Sequence, residues 1–179
     1  MNKKVMFVIS SLGGGGAERV LTNIAGAMAE NGIKVKILKT AHKTTTNYNL
    51  NHKIEVIQVP KYDTNPIKKA YCMIRYMRKV FLDNLDYTII SFLSDNNVLS
   101  LISSLGLRNK VVICERNDPS KNFGNQFMRI IRNIIYELAD RNVFQTEDMK
   151  RYFSKRIQKK GTIIPNPVII ASDEFYDAY

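Results

Sequence analysis

The sequence predicts an α/β fold in which helices cover both faces of a parallel sheet of about seven strands. Strand-like and helix-like apolar patterns alternate along the 179 residues, and this alternation is typical of parallel sheets joined by crossover helices. Apolar residues make up 45% of the chain, which suffices for the two apolar layers that such a sheet requires. The length favours a single domain.

The first half of the chain begins with a buried strand and ends with a long helix. Short apolar runs predict the strands, and apolar residues spaced three and four apart predict the helices. Asn31-Gly32 ends the first helix, Pro60 closes the third strand and Pro66 opens the second helix. In chain order, the predicted elements are strand 4–10, helix 17–30, strand 33–39, polar loop 41–51, strand 53–59 and helix 66–84.

The second half repeats the alternation with shorter elements. Gly106 ends one helix, Gly124 weakens the next, and Pro165 and Pro167 end regular structure. In chain order, the predicted elements are strand 86–92, helix 97–105, strand 110–114, helix 122–138, strand 141–144, helix 147–157 and strand 162–164.

A run of four glycines, residues 13–16, lies between the first strand and the first helix. Glycines at such a turn let another molecule approach the backbone, and the amides at a helix start favour an anion. We therefore expect an unobstructed phosphate site, with a simple tight turn as the alternative. Ligands of parallel sheets bind beyond the carboxyl ends of the strands, where this loop would meet residues 94–97, 115–117 and 146–147.

Two common phosphate motifs are excluded at this loop. A Walker A loop ends in Gly-Lys-Ser/Thr, whereas Ala17-Glu18-Arg19 follows the glycines here. The G-x-G-x-x-G pattern also fails, and the second strand ends in Lys39-Thr40 without an acidic residue for a ribose. Both absences argue against a dinucleotide oxidoreductase.

The chain is strongly basic, with a formal net charge of +11. This charge predicts a negatively charged partner: nucleic acid, an anionic membrane surface or a phosphorylated ligand. The basic residues are spread over several helices without a stacking-aromatic motif, which disfavours nucleic acid. Cys72 and Cys114 match no metal spacing and predict reduced thiols. Neither a signal peptide nor a membrane span is predicted, so we expect a cytoplasmic location.

Several segments carry a resemblance to a known family. They are residues 8–20, 89–93, 113–119, 144–149 and 163–168. In order and spacing they resemble the amino-terminal domain of the family-4 (group 1) glycosyltransferases of GT-B architecture. The glycine run and Pro165-Asn166-Pro167 together make this resemblance fairly specific.

The resemblance implies one half of a two-domain enzyme. Family members have two Rossmann-like domains, of which the first mostly binds the acceptor and the second holds most of the nucleotide-sugar. Residues 1–168 are then the amino-terminal domain, residues 169–179 begin an interdomain linker or tail, and the donor domain is absent. The implied enzyme is a hexosyltransferase that retains anomeric configuration, and this chain alone is expected to be inactive.

The resemblance also implies site residues. It assigns Gly14, Gly15 and Gly16 to the donor diphosphate, and no metal or cofactor is expected. The catalytic residue is unknown, because the histidine or acidic residue of many relatives has no clear counterpart; the candidates are Asp95, Glu115 and Arg116. The candidate acceptor-binding residues are Asn96, Asn97, Arg116 and Asn117. Helix capping by Asp95 and Asn96 and a surface ion pair of Arg116 are the simpler alternatives.

Two segments mix cations with bulky apolar residues, at 66–84 and 127–136. Each has two interpretations: one buried face and one solvated face, or contact with an anionic membrane. The leading functional hypothesis is the acceptor-binding half of a glycosyltransferase. It would act on a nucleotide-sugar and a lipid-linked glycan in bacterial surface-polysaccharide synthesis, at the inner face of the plasma membrane. The alternatives are a non-catalytic Rossmann-like module that docks a partner subunit or membrane, and, third, a nucleic-acid binder.

Overall fold

The computed structural model describes residues 3–42, 49–121 and 124–166. Its strands are β1 Lys4–Ile9, β2 Lys34–Lys39, β3 Glu55–Gln58, β4 Thr88–Phe92, β5 Val111–Cys114, β6 Arg141–Phe144 and β7 Gly161–Ile163. Its helices are α1 Gly16–Glu30, α2 Pro66–Leu82, α3 Ser94–Ser103, α4 Gln126–Tyr136, α5 Glu147–Arg151 and α6 Lys155–Lys159. The predicted α/β class is confirmed.

Within the described residues the seven strands form one parallel sheet, in the order β3-β2-β1-β4-β5-β6-β7. Phe7 in the central strand β1 is paired with Ile37 of β2 on one side and with Ile90 of β4 on the other. The chain builds the sheet outward from β1 in one direction and then, from β4, in the other. The strand order therefore changes between β1 and β4, where sheets of this kind leave a crevice at their carboxyl ends.

Alternation along the strands produces two apolar cores, one on each face of the sheet. The first core joins Met6 and Val8 to side chains from α2, α3 and the segment after α4. The second joins Phe7 and Ile9 to the buried face of α1. Helices on both faces were predicted from the alternation of strands and helices along the chain, and this prediction is confirmed.

Three of the predicted helices have clearly different bounds in the structure. The third helix begins at Ser94 instead of residue 97, because Leu93 at its N-cap turns the chain with a φ of 75° directly after β4. The predicted helix 147–157 is two helices, because Ser154 caps the second one by accepting a hydrogen bond from the amide of Ile157. The helix predicted over 122–138 begins at Gln126 behind the cap Asn125; residues 122–123, like the predicted tail at 169–179, lie outside the described residues.

Candidate active site

The glycine loop joins β1 to α1 at the point where the strand order changes. Gly14 has a φ of 66°, in the left-handed region that glycine adopts without steric cost. Gly15 is the N-cap of α1, and the helix begins at Gly16. A Cβ added to Gly16 would meet no atom within 4 Å. The loop therefore has open space beside the first helical residue.

Glu18 covers the opposite side of this loop. Its carboxylate lies where a Cβ on Gly15 would stand, and Ser11 donates a hydrogen bond of 3.3 Å to its Oε1. A carboxylate at the third helical position commonly turns back toward the N-cap and is favoured by the helix dipole. The expectation of an unobstructed loop is thus wrong at Gly15, where an internal anion already lies. Diphosphate binding by the loop stays a prediction.

A pocket of about 480 Å³ opens at the carboxyl ends of β1 to β4. Hydroxyl, ammonium and carboxylate groups line it, from Ser10, Thr40, Lys61, Tyr62, Lys69 and Asp95. This volume lies within the roughly 300–1,000 Å³ of sites for small ligands. Ammonium groups beside hydroxyls suit a ligand that carries both phosphate and sugar.

Asp95 and Asn96 in the first turn of α3 both line this pocket, but the three candidate residues of the turn differ in burial. Asp95 is exposed, whereas Asn96 and Asn97 are 1% and 0% exposed. Asn96 accepts a hydrogen bond of 2.7 Å from Thr40 and donates one of 3.1 Å to Ser10, so it ties the ends of three strands together. Both amides make interior hydrogen bonds, which favours positioning roles, although Asn96 also lines the pocket. A direct acceptor contact of Asn96 and Asn97 stays a prediction.

Glu115 follows β5 and is buried, with 1% of its surface exposed. Ser94 donates to both carboxylate oxygens at 2.9 Å, and the hydroxyl of Tyr136 donates to Oε2 at 2.7 Å. The amides of Arg116 and Asn117 point to Oε1 at 3.2 and 3.5 Å. Burial raises the pKa of the Glu115 carboxyl, against the hydrogen bonds from Tyr136 and Ser94, which lower it. Enclosed in this way, the carboxylate has no path to a substrate, which favours a positioning role over the predicted catalytic one.

A fully buried arginine completes this network. The guanidinium of Arg132 lies 5.3 Å from the ring centroid of Phe153 and 5.8 Å from that of Tyr136. Its charge lowers the pKa of Glu115, as an opposite charge does across a low-dielectric interior. Tyr136 and Arg132 were not predicted as site residues, because both belong to a segment that mixes cations with bulky apolar residues and carries no motif of a site.

Arg116 is held by internal contacts on the loop after β5. Its guanidinium lies 4.9 Å from the ring centroid of Phe92 and donates a hydrogen bond of 2.7 Å to Asn166. Gln145 donates to the same oxygen at 3.0 Å. Asn117 is exposed and, with Arg116, borders a second pocket of about 420 Å³. The ion pairs found among the described residues do not include Arg116, so the alternative of a surface ion pair with a neighbouring carboxylate is not favoured.

An exposed apolar stripe runs along α4 and the turn that follows it. It consists of Phe127, Ile130, Ile134 and Leu138, which are 52–67% exposed and share one helical face by their spacing. The buried face carries Arg132 and Tyr136 instead. This orientation is the reverse of an ordinary surface helix, in which the apolar face is covered. We refer to these four residues as the α4 stripe.

Helix α2 follows the ordinary arrangement. It buries Met73, Met77 and Phe81, as the interpretation with one buried face predicts. Arg78 donates to the carbonyl oxygens of Ser103 and Leu105 at 3.2 and 2.7 Å, so this cation serves the end of α3.

No helix within the described ranges is both long and apolar enough to cross a bilayer. In the same part of the chain, the His, Cys, Asp and Glu side chains form no group of three that could hold a metal ion.

Comparison with known proteins assigns the fold and its relatives. The model of Glycosyltransferase Family 4 matches residues 14–171. A Campylobacter jejuni protein, GalNAc-alpha-(1->4)-GalNAc-alpha-(1->3)-diNAcBac-PP-undecaprenol alpha-1,4-N-acetyl-D-galactosaminyltransferase, is 25% identical over 179 residues, which are 98% of this chain and 49% of that protein. The chain thus spans about half the length of the curated relative it matches.

Solved structures agree on the architecture. The apo form of the lipopolysaccharide outer core galactosyltransferase WaaB superposes with a TM-score of 0.75 at 12% identity, over 95% of this chain and 47% of that one. The Anabaena protein Alr3699/HepE in complex with UDP-glucose gives a TM-score of 0.63 at 15% identity, over 92% of this chain and 44% of that one. At identities this low, the superpositions establish the fold alone. They confirm the prediction that this chain has the fold of one half of a GT-B architecture.

Proposed function

This chain belongs to glycosyltransferase family 4, and we propose that it is the acceptor-binding half of an enzyme that moves a sugar from a nucleotide-sugar to a lipid-linked glycan, in bacterial surface-polysaccharide synthesis. One observation carries the proposal beyond family membership. The 480 Å³ pocket reaches Ser10, which lies three residues before the glycine loop, on the edge of the sheet where the strand order changes. A donor phosphate at the loop and an acceptor in the pocket would thus be neighbours.

On the donor side, we propose that Gly14, Gly15 and Gly16 meet the diphosphate of the nucleotide-sugar, whose other contacts come from a second domain. The positive φ of Gly14 and the open space beside Gly16 support a close approach of the backbone. Backbone dipoles aimed at the leaving diphosphate stabilise the charge that develops there. Glu18 lies against Gly15, so the diphosphate either displaces its carboxylate or binds beside it.

For the chemical step we propose a displacement on one face of the sugar. The bond from the anomeric carbon to the phosphate oxygen breaks, the acceptor oxygen forms the new bond, and its proton passes to the leaving phosphate. Such a step needs no pair of carboxylates of the glycosidase type. Asp95 is the candidate carboxylate that faces the pocket, and it would orient the acceptor hydroxyl.

On the acceptor side, we propose that the pocket holds the glycan near its reacting hydroxyl. Lys61 and Lys69 supply positive charge, and Tyr62 supplies an aromatic surface on which a sugar ring can lie. The relative from Campylobacter jejuni acts, by its name, on a glycan linked through a diphosphate to undecaprenol. An acceptor of that chemical class would place its lipid in a membrane.

We propose that the α4 stripe supplies the membrane contact, as a peripheral attachment to the inner leaflet. Side chains of this kind bury their apolar surface at the boundary between headgroups and acyl chains. The net charge of +11 would add attraction to anionic lipids. The alternative, a non-catalytic binding module, is not favoured, because the named relatives are transferases.

The proposal is tested by restoring the donor half. The chain is combined with a family-4 carboxy-terminal domain, and release of nucleoside diphosphate is measured with an undecaprenyl-diphosphate-linked glycan. Release is expected only when both halves and the acceptor are present. Acceptor binding without release in any combination would support the binding module instead.

Gly16→Val provides a matched test of the glycine loop. A Cβ added at this position enters open space, so we expect the fold to be kept and a bound ligand to be obstructed, whereas Gly15→Val would also displace Glu18. We expect transfer to fall at least about 100-fold, the scale of losing a preorganised anion contact. Gly26→Val is the control, because Gly26 lies in the same helix with equally open space and away from the site. Equal activity of the two variants would remove the loop from the donor site.

A further inference from the structure

We propose that Glu115 is a positioning residue that holds the turn between β4 and α3, and with it Asp95, at the mouth of the pocket. The part played by the pocket rests on the proposed function, whereas the geometry of the turn does not. The turn, the carboxylate and the donors around it are all within the described residues.

The turn itself has an unfavourable backbone. Leu93 has a φ of 75° and a ψ of 145°, in a region that glycine accepts and other residues avoid. Leu93 is half-buried and packs against one of the two apolar cores. Its carbonyl oxygen accepts the hydrogen bond from the amide of Asn97 at 2.9 Å, which is the first backbone bond of α3. The conformation of one residue therefore sets the direction in which α3 starts.

Such a conformation persists only where the surroundings enforce it, and Glu115 is the group that does so here. Ser94, which follows Leu93 in the sequence, donates to both carboxylate oxygens of Glu115 at 2.9 Å. Tyr136 of α4 anchors the same carboxylate at 2.7 Å and accepts a hydrogen bond of 3.1 Å from Asn97. The turn is thus fixed at Ser94 and at Asn97, on both sides of Asp95.

Asp95 owes its exposure to this arrangement. Its neighbours in sequence point inward to Glu115 and to the strand ends, so the side chain between them faces the pocket. The Glu115 carboxylate also accepts hydrogen bonds from the backbone amides of Arg116 and Asn117. One buried group therefore sets the position of both loops that carry the candidate site residues.

The backbone strain offers a direct test on this chain alone. Glu115→Gln brings an amide that accepts fewer hydrogen bonds, and we expect amide exchange in residues 97–100 to accelerate about tenfold relative to β1 and α1, as loss of a clamp on a strained turn predicts. Leu93→Gly in that background should restore slow exchange, because glycine adopts the turn without strain. Leu93→Ala removes the same side chain but keeps the Cβ, and should restore nothing. Exchange that is unchanged by Glu115→Gln, or equally restored by both substitutions, would overturn the proposal.

Ser94→Ala repeats the test with a smaller change, in case Glu115→Gln does not fold. Its control is Ser103→Ala, because Ser103 is also buried in α3 but its hydroxyl has no hydrogen-bond partner within the described residues. We expect faster exchange in residues 97–100 for the first variant only. Equal exchange in the two variants would contradict the proposal.

Kinetics with both halves of the enzyme separate positioning from plain stability. In Ser94→Ala we expect the KM for the acceptor to rise about tenfold, because the turn between β4 and α3 that carries Asp95 moves. The KM for the nucleotide-sugar should be unchanged. Ser103→Ala should leave both values unchanged. A purely structural role would reduce the amount of active enzyme, and so kcat, without changing either KM. Failure of the exchange test refutes the role of Glu115 even if transfer is confirmed, and absence of transfer leaves the exchange result standing.

Discussion

Glu18 determines how accessible the glycine loop is to an anionic ligand. Its carboxylate lies against Gly15 and accepts a hydrogen bond from Ser11. The start of α1 favours a negative charge, and here the chain itself supplies that charge. A donor diphosphate would meet this like charge. The residue that stabilises the loop therefore also opposes the proposed ligand.

We predict that Glu18→Gln lowers the free energy of unfolding by about 0.5–1 kcal/mol, since a negative charge near a helix N-terminus is lost. The same variant should bind inorganic pyrophosphate more tightly, because the repulsion is removed. Urea unfolding and calorimetric titration measure the two effects. Glu30→Gln, at the opposite end of α1, is the control and should leave pyrophosphate binding unchanged. Weaker binding by Glu18→Gln would show that the carboxylate assists the ligand.

Cys114 differs from Cys72 in burial. It is 3% exposed, and burial raises the pKa of its thiol to about 12, whereas Cys72 is half-buried. Because the thiolate is the reactive form, a raised pKa keeps Cys114 protonated and unreactive at any pH well below that value. We predict that iodoacetamide at about pH 8 labels one thiol in the native chain and two after denaturation. Labelling of native Cys72→Ser, counted by mass spectrometry, should be close to zero; substantial labelling would mean that the core around Cys114 opens.

The candidate residues show what a sequence can reveal about a site. Asn96, Asn97 and Glu115 were expected at the carboxyl edge of the sheet, and they lie there, because each follows a strand end. The direction of their side chains was not predictable, since it depends on Tyr136 and Thr40, which are distant in sequence. A polar residue at the start of a helix looks the same whether it faces a ligand or the interior.

The same limit applies to whole elements. The strand β1 was predicted from a continuous apolar run, which is typical of a parallel strand buried on both faces. The start of α3 was not, because a leucine in a backbone region typical of glycine leaves no sequence signal. For α4 the apolar periodicity correctly predicted a helix, but it did not show which face of the helix is buried. Nothing in the sequence indicates that Arg132 lies on the buried face.

The orientation of α4 allows its membrane role to be tested without damage to the fold. Ile130 and Ile134 are exposed, so Ile130→Asn with Ile134→Asn should change the free energy of unfolding by no more than about 0.5 kcal/mol. We predict that binding to phosphatidylglycerol vesicles falls at least about tenfold, because each buried apolar side chain contributes roughly 1.5–3 kcal/mol. Vesicle co-sedimentation measures this loss. Leu105→Asn is the control, as an equally exposed apolar residue outside the α4 stripe; the same loss in that variant would contradict a specific docking face.

At the scale of the whole molecule, the topology of the sheet brings the candidate site residues to one edge. Because the strand order reverses between β1 and β4, the glycine loop, the first turn of α3 and the loop after β5 all meet at one edge. The chain spans about half of its curated relative, and the proposed reaction needs a second domain opposite this edge. In the proposed reaction, the described half binds and orients the acceptor, and the second domain holds the donor.

The net charge of +11 and the α4 stripe make separate contributions to membrane binding, which salt can distinguish. Attraction to anionic lipid is screened as the Debye length falls from about 10 Å at 0.1 M to about 3 Å at 1 M, whereas apolar insertion is not weakened by salt. We predict that raising NaCl from about 0.1 M to about 1 M weakens binding to phosphatidylglycerol vesicles steeply in the native chain. The Ile130→Asn, Ile134→Asn variant should bind more weakly at every salt concentration but with the same dependence, because its charges are intact. Equal binding to neutral phosphatidylcholine vesicles would contradict the electrostatic contribution, and a flattened salt dependence in the variant would mean that stripe and charges act as a single contact.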